Sequence, residues 1–483
     1  MQIIKNYIAG ELREAESGQT IENFDPSTGQ VYSLIPDSDS RDIDLAVKAA
    51  KKAFPEWSNT TNEYRHDMLM KLVSLIERDL DKLALAESID NGKPLKLART
   101  VDIPRAYSNF KFFATAIMHF ASESHEMHGM NAINYTLRHP IGVVGCISPW
   151  NLPLYLFTWK IAPALAVGNC VVAKPSEVTP MTAFMLSELA IEAGFPPGVL
   201  NIVHGLGPKV GDAISRDPDI KAVSFTGGTK TGEAIAKIAA PMFKKLSLEL
   251  GGKNPNLIFA DCDWDEMMRT TLRSSFANQG QICLCGSRIF VERSIYDKFK
   301  TEFVEKVSKL TVGDPLEDDS KLGAVVSKSH MEKVLSYVDL AKEEGGTILT
   351  GGNQVKLEGR CENGWFIEPT VIEGLEYTCR TQQEEIFGPV VTITPFDSEE
   401  EALMMANSTE YGLASTIWTK DINKANRVAS KIHAGIVWIN CWLLRDLRTP
   451  FGGVKNSGVG REGGFEVLKF FTEAKNVALR YMA

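Results

Sequence analysis

Hydrophobic positions along the chain follow two different periods, and these divide it into regions. Residues 43–54 and 64–100 carry apolar side chains at helical spacing, so both segments are predicted to be helical. From residue 141 onward, short apolar runs alternate with helical segments, a pattern typical of a doubly wound parallel sheet. The predicted strands of this first series are GVVGCIS, NCVVAKP, LNIVHG, AVSFTG and KLSLEL, which begin at residues 142, 169, 200, 222 and 245.

A second α/β series runs from about residue 256 to residue 440. It contains one helix, YDKFKTEFVEKVSKL, and the predicted strands NLIFA, RIFVERS, VVTITPF, STIWT and GIVWIN. Two segments fit neither series: the polar stretch 122–140 is predicted to form a hairpin, and the tail 475–483 a single strand. Because unpaired strand edges pair readily with another chain, these segments are candidates for contacts between subunits.

Composition and charge exclude several classes of partner. The chain has 483 residues, 44% of them hydrophobic and 23% charged, which is an ordinary balance for two or three globular domains. A net charge of −9 argues against nucleic acid or an anionic membrane surface as partner. The longest apolar stretch, near 152–173, is interrupted by Lys160 and two prolines, which argues against a membrane span. Charges within the first eighteen residues argue against a signal peptide.

The cysteines and histidines show no metal-binding pattern. Of eight scattered cysteines only Cys283 and Cys285 are close, and a lone C-x-C lacks the partner cluster of a zinc site. The eight histidines form no i, i+4 pair and are interpreted as structural or surface residues. We therefore expect no metal, and free thiols in a reducing cytoplasm.

Two short motifs carry the strongest chemical signal. LELGGKNP at 248–255 holds the carboxylate Glu249 beside two glycines, and FANQGQICLC at 276–285 places Cys283 after a polar turn. A carboxylate can activate water, and a thiolate can attack a carbonyl carbon. Covalent oxidation of an aldehyde needs both groups, one to form a thioester and one to hydrolyse it. Taken alone, Cys283 is more often a buried core thiol, and Glu249 a capping or ion-paired carboxylate.

Nucleotide binding is indicated at the ends of two predicted strands. KPSE at 174–177 offers Lys174 and Glu177 to sugar hydroxyls, and a carboxylate there would repel a 2′-phosphate, which favours NAD over NADP. FTGGTKTG at 225–232 presents Gly227 and Gly228 where a helix begins, so its free N–H groups can hold a pyrophosphate. Each motif alone is as common in an ordinary loop. GLGPKVG at 205–211 departs from G-x-G-x-x-G and is interpreted as a loop that starts a helix.

Two further polar residues are candidates for the same site. SPWNLP at 148–153 presents Asn151 as a neutral donor that could stabilise an oxyanion, although a turn-forming or capping asparagine is an equal alternative. EEIFGP at 384–389 holds Glu385, which could bind a second sugar or serve as an ordinary loop carboxylate.

The motifs PWNLP, KPSE, FTGG, LELGGKNP, GQIC, EEIFGP and PFGGVKNSG, in this order and spacing, resemble the NAD(P)-dependent aldehyde dehydrogenase superfamily. The likeness covers essentially the whole chain. It implies an α/β fold with a Rossmann-type cofactor domain over 1–121 and 141–250 and an α/β catalytic domain over 251–452. A small β oligomerisation element would comprise 122–140 and 466–483, and the chain would form a homodimer or homotetramer.

The resemblance also implies a role for each candidate residue. Cys283 would be the nucleophile that forms a thiohemiacetal and then a thioester, with NAD as the hydride acceptor. Asn151 and the Cys283 backbone N–H would form the oxyanion hole, and Glu249 would be the base for thioester hydrolysis. The cofactor would be contacted by Trp150, Lys174, Glu177, Gly227, Gly228, Glu385 and Phe387. Gly228 stands where the family often has serine, which leaves only backbone donors to the phosphates.

Two arginines bear on which aldehyde is oxidised. Arg105 lies in TVDIPRAYSNFKFFA and Arg445 in WINCWLLRDLRTPFGG, segments that the family places beside the substrate tunnel. Two arginines that converge on one pocket can hold a carboxylate by charge-assisted hydrogen bonds. For either residue alone a solvated surface arginine is the commoner outcome, and Arg448 competes for the role of Arg445.

The sequence around these arginines is similar to the branch of the family that oxidises 2-aminomuconate 6-semialdehyde and 2-hydroxymuconate semialdehyde. This likeness implies that Arg105 and Arg445 anchor the substrate carboxylate and that Asn151 contacts the 2-substituent. A broad-specificity or betaine-type dehydrogenase is the alternative, although a cationic substrate prefers an aromatic and acidic site. A CoA-acylating enzyme would lack Glu249. A catalytically silent protein of the same fold is the non-enzyme alternative.

Overall fold

Two large, mostly parallel sheets organise the computed structural model, which describes residues 2–482. The first has eight strands, in the spatial order Gly458–Val459, Lys245–Glu249, Ile220–Thr226, Val143–Ile147, Cys170–Lys174, Leu200–Ile202, Asn6–Ile8 and Glu11–Arg13. Its five central strands pair in parallel. They are rich in Val, Ile and Ala and mostly buried, as expected for a sheet covered on both faces. All five strands predicted for the first series are confirmed.

The second sheet has seven strands. Their order is Thr347–Thr350, Thr370–Glu373, Val390–Phe396, Arg288–Glu292, Pro255–Ile258, Ala414–Trp418 and Ile436–Ile439. Only the edge strand Thr347–Thr350 runs antiparallel to its neighbour. The five strands predicted for the second series are confirmed, and so is the helix, which spans Arg293–Ser308.

A separate three-stranded antiparallel sheet joins two segments that are far apart in sequence. Ser124–Met127 and Ala132–Pro140 form the predicted hairpin, and the tail strand Thr472–Arg480 pairs with Ala132–Pro140. The predicted hairpin is confirmed, and the tail strand begins three residues earlier than predicted. Its part in an oligomer stays a prediction, as does the division of the chain into domains. Smaller sheets pair Gln2–Ile3, Gln30–Pro36 and Thr20–Asp25; Gln354–Val355 and Phe366–Ile367; and Tyr411–Gly412 and Val454–Lys455.

The helical segment predicted over 64–100 is wrong as one unit. It divides into Asn62–Arg78 and Leu80–Asn91, after which Gly92 adopts a left-handed conformation with φ of 82° and Pro94 prevents continuation. The other α-helices are Ser40–Trp57, Leu95–Leu97, Ile103–Ile117, Pro153–Ala166, Met181–Ala193, Asp212–Arg216, Thr229–Ala239, Trp264–Phe276, Lys328–Glu343, Arg380–Gln383, Glu399–Asn407, Ile422–Lys431 and Glu466–Phe470. Across residues 2–482, none of the helices has both the length and the apolar character needed to span a membrane.

The first sheet brings most of the candidate residues to one edge. Lys174 and Glu249 end their strands, while the segments 150–151 and 227–228 directly follow the two strands between them. Because these four strands are parallel and adjacent, their carboxyl ends meet along the same edge, which is where α/β sheets bind ligands. The fold thus gathers residues that are separated by up to a hundred positions in the sequence.

Candidate active site

A tight left-handed turn positions Cys283. Helix Trp264–Phe276 ends before Asn278, Gln279 and Gly280, which have φ of 52°, 55° and 70°. A Cβ on Gly280 would clash with the carbonyl oxygen of Gly388, so only glycine allows this close approach. The Gln279 side chain donates to the Ala324 carbonyl at 2.8 Å, which holds the turn from the other side. The strained turn therefore fixes the backbone that leads to the thiol.

Two cavities meet at Cys283. The first, of about 230 Å³, is called here the cofactor-side cavity, and it is lined by five of the seven candidate cofactor residues, namely Trp150, Gly227, Gly228, Glu385 and Phe387. The second, of about 530 Å³, contains Glu249 and both candidate arginines and is called the substrate-side cavity. Both cavities are also lined by Thr226 and Leu250. Because Cys283 lines both cavities, it can contact a substrate in one and a nucleotide in the other.

Two uncommitted hydrogen-bond donors belong to residues that line the cofactor-side cavity. Asn151 lines the cofactor-side cavity, and one hydrogen of its Nδ2 goes to the Gln281 carbonyl at 2.9 Å. Its second hydrogen has no acceptor within residues 2–482, and neither has the backbone N–H of Cys283. Two uncommitted donors near a nucleophile can stabilise the negative charge of a tetrahedral intermediate.

A buried ion cluster holds the Asn151 backbone. The Asn151 carbonyl accepts hydrogen bonds from Lys93 Nζ at 3.1 Å and from Asn278 Nδ2 at 2.9 Å. Lys93 is fully buried and pairs with Asp102, and it lies 3.8 Å from Glu87. Sequence reasoning missed this cluster, because Glu87 lies in helix Leu80–Asn91, Lys93 in the loop after it and Asp102 beyond the next helix, and no regular spacing links the three charges. The two hydrogen bonds to the Asn151 carbonyl hold the backbone from which its side chain projects.

Glu249 is a buried carboxylate without a hydrogen-bond partner on either oxygen. Burial raises the pKa of Glu249 well above its ordinary value, and the nearby charge of Glu462 raises it further. Glu462 accepts a hydrogen bond from Lys160 Nζ at 2.7 Å and another from Ser224 Oγ at 2.9 Å. An unpartnered carboxylate with a raised pKa, facing the same cavity as Cys283, is suited to take a proton from water. Lys160 and Glu462 were not identified as site residues from the sequence.

The surroundings of Cys283 favour the neutral thiol over the thiolate. Burial raises the pKa of Cys283, and the charges of Glu385 and Glu249 raise it further. Its attack on a carbonyl therefore requires a base to remove the proton. Cys285 is buried two residues away, and burial raises its pKa to about 12. Nothing in its contacts favours a reactive role for Cys285.

Aromatic rings and a carboxylate enclose the cofactor-side cavity. The rings of Trp150 and Phe387 are perpendicular, with centroids 5.2 Å apart. Glu385 accepts the Gly252 N–H at 2.8 Å, and burial raises the pKa of Glu385. Lys333 lines the same cavity and donates to the Glu385 carbonyl at 3.1 Å. Trp150, Glu385 and Phe387 therefore lie together in one cavity.

The glycines after Thr226 fit a phosphate group. Gly228 caps helix Thr229–Ala239 without any side-chain cap, and a Cβ on it would have no heavy atom within 4 Å. A Cβ on Gly227 would lie 2.4 Å from the Phe225 ring, so the ring would have to move. The Thr226 hydroxyl is buried without a hydrogen-bond partner and lines the cavity. An open helix N-terminus beside an unpartnered hydroxyl is suited to a nucleotide diphosphate.

Lys174 ends strand Cys170–Lys174 and Glu177 lies in the turn that follows it; neither residue lines the cofactor-side cavity. Lys174 Nζ donates to Glu177 Oε2 at 2.7 Å, and this ion pair lowers the pKa of Glu177 despite its burial. The other Glu177 oxygen accepts the Gly207 N–H at 3.4 Å.

The prediction that GLGPKVG starts a helix is confirmed, since Gly207–Gly211 forms a helical turn that continues into Asp212–Arg216.

His330 is a cavity residue that the sequence interpretation missed. Helix Lys328–Glu343 places it in the cofactor-side cavity, 5.0 Å from the Trp150 ring. Its Nε2–H donates to the Phe387 carbonyl at 2.7 Å, because a carbonyl can only accept. Burial lowers the pKa of His330 to about 4, so the imidazole is neutral. Only the tertiary packing of a distant helix reveals this residue.

Arg105 and Arg445 converge in the substrate-side cavity. Arg445 donates to the Tyr155 hydroxyl at 3.0 Å and lies 3.9 Å above the Phe451 ring. Arg105 lies over Tyr155 at 5.5 Å, and its Nε and one terminal nitrogen are buried with no hydrogen-bond partner. Arg448 is exposed, pairs with Asp446 and lies outside the residues that line this cavity. The geometry thus favours Arg445 over its competitor.

Comparisons with known proteins agree with this arrangement. The 2-aminomuconic semialdehyde dehydrogenase of Danio rerio is 51% identical over 99% of this chain and 98% of its own length. The 2-hydroxymuconic semialdehyde dehydrogenase of Pseudomonas sp. (strain CF600) is 46% identical over 99% of this chain and 100% of its own length. A solved NAD⁺ complex of aldehyde dehydrogenase from Bacillus cereus superposes with a TM-score of 0.96 at 40% identity, covering 100% and 97% of the two chains.

The family model described as "Aldehyde dehydrogenase family" matches residues 12–477, which is nearly the whole chain. The predicted α/β fold of this family is thereby confirmed. The chain therefore belongs to the aldehyde dehydrogenase family and is an oxidoreductase that acts on aldehydes with a nicotinamide dinucleotide.

Proposed function

We propose that this enzyme oxidises a carboxylate-bearing semialdehyde, either 2-aminomuconate 6-semialdehyde or its 2-hydroxy analogue, to the dicarboxylate with NAD. The observation that carries the proposal is the convergence of Arg105 and Arg445 on the lining of the substrate-side cavity, where, within residues 2–482, the half-buried Arg105 has no ion pair and two of its nitrogens are buried without a hydrogen-bond partner. A buried charge without a partner is costly, and a substrate carboxylate would supply the missing acceptors. Relatives that are named for the same two substrates support it.

The charge of the substrate-side cavity argues against a cationic substrate. Arg105, Arg273 and Arg445 line it, while its carboxylates are Glu249, Glu462 and Asp102. Glu462 and Asp102 are paired with buried lysines, and Glu249 has a raised pKa. Unpaired positive charge therefore dominates the substrate-side cavity. This charge would repel betaine aldehyde and attract a carboxylate.

Each side chain has a definite task in the proposed reaction. The Cys283 thiol gives up its proton to a water molecule in the cavity and its sulfur adds to the aldehyde carbon, while Asn151 Nδ2–H and the Cys283 N–H donate to the resulting oxyanion. Such donors contribute about 3–4 kcal/mol each in comparable sites. The bound NAD supplies the chemistry of a hydride acceptor. Glu249 then takes a proton from water, whose oxygen attacks the thioester carbon and releases the carboxylate and the free thiol.

Substrate choice is tested by a panel of four aldehydes. We expect kcat/KM with NAD for 2-aminomuconate or 2-hydroxymuconate semialdehyde to exceed that for acetaldehyde and betaine aldehyde by about tenfold or more, since hydrogen bonds to charged groups contribute about 1.5–3 kcal/mol. The rate of NADH formation gives all four values. Equal or higher values for the two small aldehydes would contradict the proposed substrate class.

The preference for NAD over NADP is proposed to depend on Glu177. Glu177→Gln removes the carboxylate that would repel a 2′-phosphate and frees Lys174 from its ion pair. We expect kcat/KM for NADP to rise by about tenfold relative to NAD, the effect of roughly 1.4 kcal/mol of relieved repulsion. Glu188→Gln, an exposed carboxylate on the following helix, is the control and should leave the ratio unchanged. An unchanged ratio in Glu177→Gln would assign the discrimination to other residues.

Assembly and location are also proposals. The exposed edges of the sheet formed by Ser124–Met127, Ala132–Pro140 and Thr472–Arg480 support a homodimer or homotetramer. All eight cysteines are free thiols, which supports a reducing cytoplasm.

A further inference from the structure

A third cavity, distinct from the two that meet at Cys283, adjoins the substrate-side cavity. It has a volume of about 470 Å³ and is lined by parts of helices Leu95–Leu97 and Trp264–Phe276 and by the loop 318–322. Four residues line both cavities, namely Leu97, Thr100, Arg273 and Ala277. We call this cavity the vestibule; the four shared residues place it directly beside the substrate-side cavity, which contains Cys283.

The vestibule is positively charged in a chain whose net charge is −9. Lys96, Arg269, Arg273 and Lys321 line it, against the single carboxylate of Asp318. Arg269 and Arg273 lie one turn apart on the same helix, so their side chains share a face. The other two cations come from different segments, so the tertiary fold assembles this excess of charge.

Much of that charge is not compensated locally. Within the part of the chain that the structure describes, Lys96, Arg273 and Lys321 have no carboxylate within 4.0 Å, whereas Arg269 pairs with Glu266. The Lys96 and Lys321 side chains are exposed and make no hydrogen bond. The positive potential of the vestibule is therefore available to an incoming anion.

Arg273 marks the junction of the two cavities. Its guanidinium donates to the Trp442 carbonyl at 3.1 Å and lies 5.5 Å from the centre of the Trp442 ring. Both contacts fix the side chain, yet neither neutralises its charge. Arg273 thus continues the positive lining from the vestibule toward Arg105 and Arg445.

We propose that the vestibule is a capture site for carboxylate-bearing aldehydes, which it concentrates at the entrance of the substrate-side cavity before Arg105 and Arg445 bind them. The inference rests on the substrate class proposed above. Clefts lined by one sign of charge raise the local concentration and the association rate of oppositely charged ligands. Salt weakens this attraction, because the Debye length falls from about 30 Å at 0.01 M to about 3 Å at 1 M.

The test removes two vestibule charges that are remote from the reacting atoms. In Lys96→Gln/Lys321→Gln we expect kcat/KM for 2-hydroxymuconate semialdehyde to fall roughly 3- to 10-fold at about 20 mM salt, within the range of electrostatic steering. At about 500 mM salt the difference from the wild type should shrink below about twofold. Hexanal, a neutral aldehyde of similar length, should react equally well with both enzymes.

Lys48→Gln/Lys52→Gln is the matched control, because it changes the net charge equally on the exposed face of helix Ser40–Trp57. For both aldehydes at both salt concentrations, kcat/KM of this control should stay within about 1.5-fold of the wild type, since a change in net charge far from the vestibule has little effect on substrate binding. If both double variants behave alike, or if hexanal loses as much as the semialdehyde, the capture site is overturned. If the wild type itself shows no preference for the carboxylate-bearing aldehyde, the proposed function fails independently of the vestibule variants.

Discussion

Replacing Glu249 by glutamine is expected to lower steady-state turnover by about 10²–10⁴-fold, the range attributed to a general base. Glutamine retains the shape of the side chain but cannot take a proton from water, so the thioester on Cys283 should persist. The first turnover needs no hydrolysis. A stopped-flow record should therefore show a burst of NADH close to one equivalent per active site, followed by a very slow phase.

The pH dependence of the wild type should agree with this role. Because burial and Glu462 raise the pKa of Glu249, its carboxylate is the minor form at low pH, and hydrolysis should accelerate as pH rises. Glu233→Gln, an exposed carboxylate paired with Lys237, is the control for the substitution and should behave as the wild type. Normal steady turnover in Glu249→Gln would remove Glu249 from the mechanism.

Arg445→Ala should separate charged from neutral aldehydes. We expect kcat/KM for 2-hydroxymuconate semialdehyde to fall roughly 10- to 150-fold, the equivalent of about 1.5–3 kcal/mol for hydrogen bonds to a charged group. The loss should appear mainly as a higher KM, because the carboxylate lies at the far end of the substrate from the reacting carbon. Hexanal should change by less than about threefold, since it has no group for the arginine to bind.

Arg448→Ala provides the matched control for this substitution. Arg448 is three residues away, is exposed and pairs with Asp446, so its loss should affect neither substrate. Arg445 also packs on Phe451 and donates to Tyr155, so a general loosening of the cavity is the competing explanation. That explanation predicts equal losses for both aldehydes, and such a result would contradict the carboxylate clamp.

Much of the site was predictable because its residues follow regular elements. Glu249 and Lys174 end short apolar runs, and Asn151 and Gly228 come shortly after such runs, so the parallel pattern alone places them on one edge. Cys283 was identifiable from its motif but not from periodicity. Its position depends on three consecutive left-handed residues and on a close approach to Gly388 that no local pattern reveals.

The missed residues act through contacts between distant segments. Lys160 and Glu462 are 302 positions apart, yet they form one buried pair beside Glu249. Lys93 reaches the Asn151 carbonyl across 58 positions, and His330 reaches Phe387 across 57. In each case a polar side chain is satisfied only by tertiary packing, so a single sequence gives no sign that it belongs to the site.

The central claim is that the sulfur of Cys283 becomes covalently bonded to the aldehyde carbon of the substrate. Mass spectrometry of Glu249→Gln, quenched in acid after mixing with NAD and 2-hydroxymuconate semialdehyde, tests it most directly. We predict one acyl group per chain, on the peptide that contains Cys283, and none when NAD is omitted. An adduct on Cys285 or another residue, or no adduct under conditions that give a burst of NADH, would contradict the account.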